Sequence, residues 1–179
     1  MIFPSEDFIS LFERWYEQDV DRLYRYLCYR LGDQAQAEDL TATICERAVR
    51  NLSRYDSLQA TFGAWMFGIA RNEMLHWLRD RQRRPPPVSL DTLPNLEADG
   101  ATVEEQAHRA DLTRQALMHL SALSDREQEI IALRYGADMT SGEIARLMNL
   151  SPNNIRVMLH RAIEKLQVLL VDKNEAENA

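Results

Sequence analysis

The chain has little of what most alternatives to a helical protein require. It carries two cysteines, Cys28 and Cys45, too few and too far apart for a metal framework. Each falls on an apolar helical stripe, which predicts two buried thiols, no disulfide scaffold and a reducing compartment. Glycine and proline number six each, and no sustained period-two run occurs, so strands and glycine-rich phosphate loops are not expected. No apolar run approaches the ~20 residues of a membrane span. Glu6 and Asp7 stand where a secretory leader needs basic and then apolar residues. A cytoplasmic protein without membrane insertion is therefore expected. The four histidines, His76, His108, His119 and His160, are scattered, and His-Glu-x-x-His and Cys-x-x-Cys are missing. No metal, no cofactor and no catalytic residue is expected. Lys and Arg total 21 against 28 Asp and Glu, a net charge of −7, so any nucleic-acid contact must come from local basic patches.

What is there is helical periodicity over a 45% hydrophobic background, enough for a core. From Ser5 to Leu31, Phe8, Leu11, Phe12 and Trp15 form one stripe and Leu23, Leu27, Cys28 and Leu31 another, with Gly32-Asp33 as the stop. Ala35 to Leu52 repeats the pattern with Leu40, Ile44, Ala48 and Leu52 inward. Ser53 to Ala60 reads as a polar loop. Thr61 opens a long helix to about Arg83, with Phe62, Met66, Ile69, Ala70, Met74 and Leu78 among its apolar positions, and Trp65 and Trp77 also inward. Asn72 follows Trp65 by seven residues, so both project from similar sides of one helix.

That helix ends in a basic cluster of Arg79, Arg81, Arg83 and Arg84, suited to phosphate and also to the negative end of the helix. Pro85, Pro86 and Pro87 stop it. From there to Thr102 the chain holds Pro94, Asp91, Glu97 and Asp99 without a Lys or Arg, which reads as an extended acidic linker. The fold expected is all-α. Two small helical domains, residues 1–84 and 103–171, flank a linker at 85–102 and precede an acidic, frayed tail at 172–179. The two halves are expected to fold separately and to move relative to each other.

Leu112, Ala116 and Leu120 support one helix of the second half, and Glu127 to Arg134 another. Met139 to Leu166 then carries two short helical patterns meeting at a turn. Thr140 begins the first, which buries Ile144, Ala145 and Met148. Asn149 suits a turn residue of positive φ, and Leu150 plugs the angle. Ser151 caps the second and Pro152 fits its first position. Ile155, Leu159, Ala162, Ile163 and Leu166 face inward. Asn153, Asn154, Arg156, Val157, His160 and Arg161 face outward. This is a helix-turn-helix pattern, and its second helix carries groups able to read a major groove, Arg toward guanine above all.

Taken together, three stretches resemble the extracytoplasmic-function sigma factors of the sigma-70 family. Ala37 to Val49 (AEDLTATICERAV) is similar to the helix that grips the clamp of RNA polymerase. Phe62 to Arg84 (FGAWMFGIARNEMLHWLRDRQRR) is similar to the helix that reads and melts the minus-ten element. Leu120 to Ala162 is similar to the minus-thirty-five reader. The resemblance implies core RNA polymerase, promoter DNA and an anti-sigma protein as partners. It implies polymerase contacts at Asp39, Leu40, Thr43 and Arg47. It implies DNA contacts at Asn153, Asn154, Arg156, Val157, His160 and Arg161, and at Arg71, Asn72, Arg79, Arg83 and Arg84. Asn72 would line a pocket for a flipped base, beside a selectivity loop at Tyr55 to Thr61. Two departures stand out. Ala42-Thr43 replaces the common Gln-Glu of the clamp helix, and Asn153-Asn154 replaces the common Gly-Thr of the recognition helix. The alternatives are a helix-turn-helix regulator with an N-terminal sensor or dimerisation bundle, and a helical adaptor that binds only protein.

Overall fold

The computed structural model describes residues 6–82 and 119–177, with side chains described for 8–81 and 119–169. Arg83, Arg84 and the expected linker lie outside them. Three helices make the first half: α1 (Glu6–Leu31), α2 (Gln34–Asn51) and α3 (Phe62–Gln82). Gly32 ends α1 at φ 64, and its amide donates to the Cys28 carbonyl at 2.9 Å. Asp33 then caps α2 by accepting from the Gln36 amide. One residue of positive φ and one cap thus turn the chain back on itself.

The second half holds α4 (Asp125–Ile131), α5 (Ser141–Met148) and α6 (Pro152–Glu177). Reciprocal capping boxes, Ser124 with Glu127 and Thr140 with Glu143, start α4 and α5. Helix α6 runs to Glu177, through most of the segment expected as a tail. Among the described residues there is no strand, and no helix is long and apolar enough to cross a membrane.

Two local elements depart from the sequence reading. The loop after α2 begins as a 3-10 turn, Leu52–Arg54, because Leu52 remains buried. The pattern expected to run to Arg134 winds instead into a π turn, Ala132–Gly136, closed by the Ala137 amide donating to the Ala132 carbonyl. The wider turn buries Ala132, Leu133 and Gly136 together.

The tertiary packing brings the two halves together. The described parts of the two halves share one continuous core, in which Tyr26, Phe67 and Met74 belong with Ile130, Leu133 and Met139. The π turn lies on α1. A Cβ on Gly136 would stand 2.8 Å from the Tyr26 Cα and 2.9 Å from its nitrogen, so only glycine allows this approach. Arg22 and Arg25 reach across and donate to the carbonyls of Ala137 and Gly136 at 2.9 and 3.1 Å. They satisfy acceptors that the end of the turn leaves free. In the described residues the two halves are in contact.

Candidate nucleic-acid interface

Helices α5 and α6 meet at Asn149, whose φ of 54 and ψ of 51 are left-handed. Its amide and that of Leu150 close the end of α5 onto Arg146 and Ala145. Ser151 accepts from the Asn154 amide at 3.2 Å and starts α6. Ile155, Leu159 and Ala162 are buried, with Ile163 and Leu166 packed against the core. That burial leaves Asn153, Asn154, Arg156, Val157, His160 and Arg161 exposed on one outward face. Arg156 and Arg161 make no ion pair among the described residues. His160 instead sits 3.3 Å from the Glu164 carboxylate, one turn on. A helix bearing unpaired guanidiniums on one side is the shape and charge that a major groove accepts.

The second surface lies on α3 and the loop before it. Tyr55 packs edge-on against Phe62 at 5.1 Å between ring centres and tilted against Trp65 at 5.5 Å. Its hydroxyl donates to the Ala60 carbonyl at 3.1 Å, which ties the loop closed. Asp56 accepts from the Leu58 amide and leaves the Leu58 side chain 94% exposed at the tip. Asn72 is exposed on α3. Trp65 and Trp77 are half-buried and packed on the core, in line with their inward spacing, and Arg81 covers the Trp77 ring at 5.0 Å. Arg79 is exposed.

Arg71 does not stand free beside Asn72. Its Nε lies 3.5 Å from Glu129 Oε1, across the junction of the halves. The same carboxylate accepts from the Tyr26 hydroxyl at 3.0 Å and lies 3.1 Å from Arg30 Nε. Burial raises the Glu129 carboxyl pKa, and the charges of Arg30 and Arg71 and the Tyr26 hydrogen bond oppose that rise. Sequence reasoning missed this cluster. Its only signal was a charged residue inside each apolar stripe, Arg30 beside Leu27 and Leu31, and Glu129 beside Ile130.

The third surface is the outer side of α2. Asp39, Thr43 and Arg47 are exposed there. Thr43 donates to the Asp39 carbonyl at 2.9 Å, and Arg47 pairs with Glu73 of α3. Leu40 is 7% exposed, in line with its inward spacing, because the helical period places it on the Ala37, Ile44 and Ala48 stripe. Cys45 is a correction. It is half-buried and lines a shallow groove with Tyr16, Val20, Tyr24 and Ala42, whereas Cys28 is buried and its thiol is pushed up to about 11 by burial.

Two family models match the chain, one on each half. The family model described as Sigma-70 region 2 matches residues 15–84, and that described as Sigma-70, region 4 matches residues 119–168. The chain is 32% identical over 162 residues to the ECF RNA polymerase sigma factor BldN of Streptomyces coelicolor, covering 90% of this chain and 61% of the relative. It is 27% identical over 154 residues to the ECF RNA polymerase sigma factor SigM of Bacillus subtilis, covering 86% of this chain and 91% of the relative. In fold it is similar to the sigma factor RpoE of Bartonella quintana, solved in complex with the anti-sigma factor NepR. That likeness has a TM-score of 0.67 at 21% identity over 89% of this chain and 96% of the other.

Proposed function

The chain belongs to the sigma-70 family, in its extracytoplasmic-function group, and from that premise we propose that it binds core RNA polymerase and directs promoter-specific initiation. The single observation that carries this reading is the joint presence of regions 2 and 4, in that order, with an exposed basic recognition helix on the second. Asn153, Asn154, Arg156, Val157, His160 and Arg161 on α6 read the minus-thirty-five duplex. Arg156 and Arg161 supply the hydrogen-bond forks for bases or phosphate. Asn72 and the Tyr55–Thr61 loop receive a flipped base of the melted minus-ten strand, and Arg71, Arg79, Arg83 and Arg84 hold its backbone. Asp39, Thr43 and Arg47 contact the polymerase clamp.

The chain works in the cytoplasm, without catalysis of its own, and is held inactive by an anti-sigma protein. It is described best as residues 1–84 and 103–171 joined by the linker at 85–102. A helix-turn-helix regulator with an N-terminal sensor bundle is not favoured, since the N-terminal half matches region 2. The test is run-off transcription on genomic fragments with core polymerase, with and without the chain. Initiation at discrete sites only when the chain is present supports the reading. No change in the transcripts overturns it.

A further inference from the structure

Asp39, Thr43 and Arg47 recur every four residues along α2 and form one row on its outer side. Arg47 ends that row, and its guanidinium crosses to α3, where Nη1 donates to the Glu73 carboxylate. Among the described residues this is the ion pair that joins α2 to α3, whereas Arg50 pairs with Glu46 within its own helix. The two partners differ in depth. The Glu73 side chain is 12% exposed and that of Arg47 55%. Glu73 is therefore largely covered, while Arg47 keeps donors turned to solvent. Glu73 follows Asn72 in the chain, so the two project about 100° apart from one turn of α3.

Helices α2 and α3 pack on each other, and their buried residues belong to one core, Ile44 and Ala48 on one and Met66, Ala70 and Met74 on the other. Arg47 and Glu73 stand one residue before Ala48 and Met74, at the edge of the two buried stripes. The shared core seats α3, but apolar burial is non-directional. A charge-assisted hydrogen bond at its edge is directional and adds a fixed rotation of the helix. Resting on the reading above, we propose that Glu73 is a positioning residue for the strand reader: Arg47 holds it, and the bond sets the rotation of α3 at which Asn72 meets a flipped base. The bond comes from the helix that carries the clamp contacts. Arg47 has one N–H engaged with Glu73 and others left, so it can meet polymerase without letting go. The helix that meets polymerase thus sets the direction of the base reader.

The test uses the full chain and three variants. Glu73→Ala removes the acceptor and keeps a good helix former. Glu73→Arg sets a like charge against Arg47. The double variant Arg47→Glu with Glu73→Arg reverses the pair. Titration with core polymerase reads the clamp contacts. Permanganate reactivity of the minus-ten thymines over time reads strand opening, at saturating core enzyme so that the loss of Arg47 from the clamp row does not enter it. Glu73→Ala is expected to open promoters about two- to fivefold more slowly at unchanged core affinity, the effect of losing a partly exposed ion pair. Glu73→Arg should open them more slowly still, and the reversed pair should recover most of that loss. Should Glu73→Ala melt well below the wild type, the reversed pair decides. A reversed pair no faster than Glu73→Arg, or opening by Glu73→Ala at the wild-type rate, overturns the positioning. Lowered core affinity in Glu73→Ala overturns it too, and makes Glu73 part of the clamp contact. Run-off transcription by the wild-type chain separates the two claims. Normal initiation beside an unaffected Glu73→Ala removes the positioning alone, and failed initiation removes the underlying reading and the positioning with it.

Discussion

Tyr26 and Glu129 are 103 positions apart, and the tyrosine hydroxyl donates to the Glu129 carboxylate at 3.0 Å inside the junction of the two halves. Tyr26 is wholly buried, and burial first, then the Glu129 charge, holds its phenol well above the usual range. It therefore stays a donor at any working pH. Tyr26→Phe keeps the ring and its edge contact with Phe67 and removes only this bond. The expected cost is about 1.5–3 kcal/mol, the range for a hydrogen bond to a charged group. Urea unfolding monitored by circular dichroism checks it, and a loss near zero would mean that water replaces the hydroxyl.

Glu127 gives the second half an acid limit. Lys165 and Ser124 donate to its carboxylate and hold its pKa at about 2, below the ordinary 4.5. A depressed folded-state value means stability that is complete above about pH 4.5 and is lost as pH falls toward 2. Glu127→Gln should flatten that part of the pH–stability curve. Ser124→Ala should cost about 1 kcal/mol at neutral pH through the lost cap. Thermal melts between pH 7 and 2.5 measure both, and parallel curves for Glu127→Gln and the wild type would refute the assignment.

Asn149 is held left-handed where α5 turns into α6. Asn149→Ala should destabilise by about 1 kcal/mol, since both residues carry a Cβ but the short polar side chain of Asn makes the left-handed conformation more accessible to it than to Ala. Asn149→Gly should be close to neutral, because glycine has no Cβ to crowd the next carbonyl. Melting temperatures of the two variants decide between these roles. An equal loss in both would assign the cost to the side chain.

The two DNA surfaces should separate by substrate. Arg156→Ala is expected to cost about 1–3 kcal/mol of promoter affinity and to relax preference at one upstream base pair, on intact and pre-melted templates alike. Asn72→Ala should leave duplex affinity unchanged and slow strand opening, because a flipped base exists only in the melted form. Permanganate footprints and binding on intact and bubbled promoters compare them. Equal losses on closed duplex would make Asn72 structural.

On α2, Asp39→Ala should weaken binding to core polymerase without lowering the melting temperature, since its side chain is exposed. Thr43→Glu restores the acidic group common at this position in the family and should strengthen binding. Titration of labelled chain with core enzyme measures both, and unchanged affinities would move the contact elsewhere.

Much of the local structure was written in the sequence because short-range physics decides it. Gly32 and Asp33 end one helix and start the next, Asn149 takes the left-handed turn, and Ser151-Pro152 opens the recognition helix. The helical period alone sorted Ile155, Leu159 and Ala162 inward from Arg156, His160 and Arg161 outward. The same period applied to α2 placed Leu40 inward with Ile44 and Ala48. What periodicity cannot specify is which stripes meet. An arginine at position 30 and a glutamate at 129 interrupt apolar stripes, but what they meet is set only when α4 is laid on α1, where their side chains are 1% and 4% exposed. A glycine at 136 reads as a loop residue until the Tyr26 backbone is 2.8 Å from its missing Cβ. Composition and spacing determined the helices and the outward face of α6. Only the tertiary structure decided that the halves meet and that Arg71 lies 3.5 Å from Glu129, because desolvation and close approach act between residues far apart in the chain.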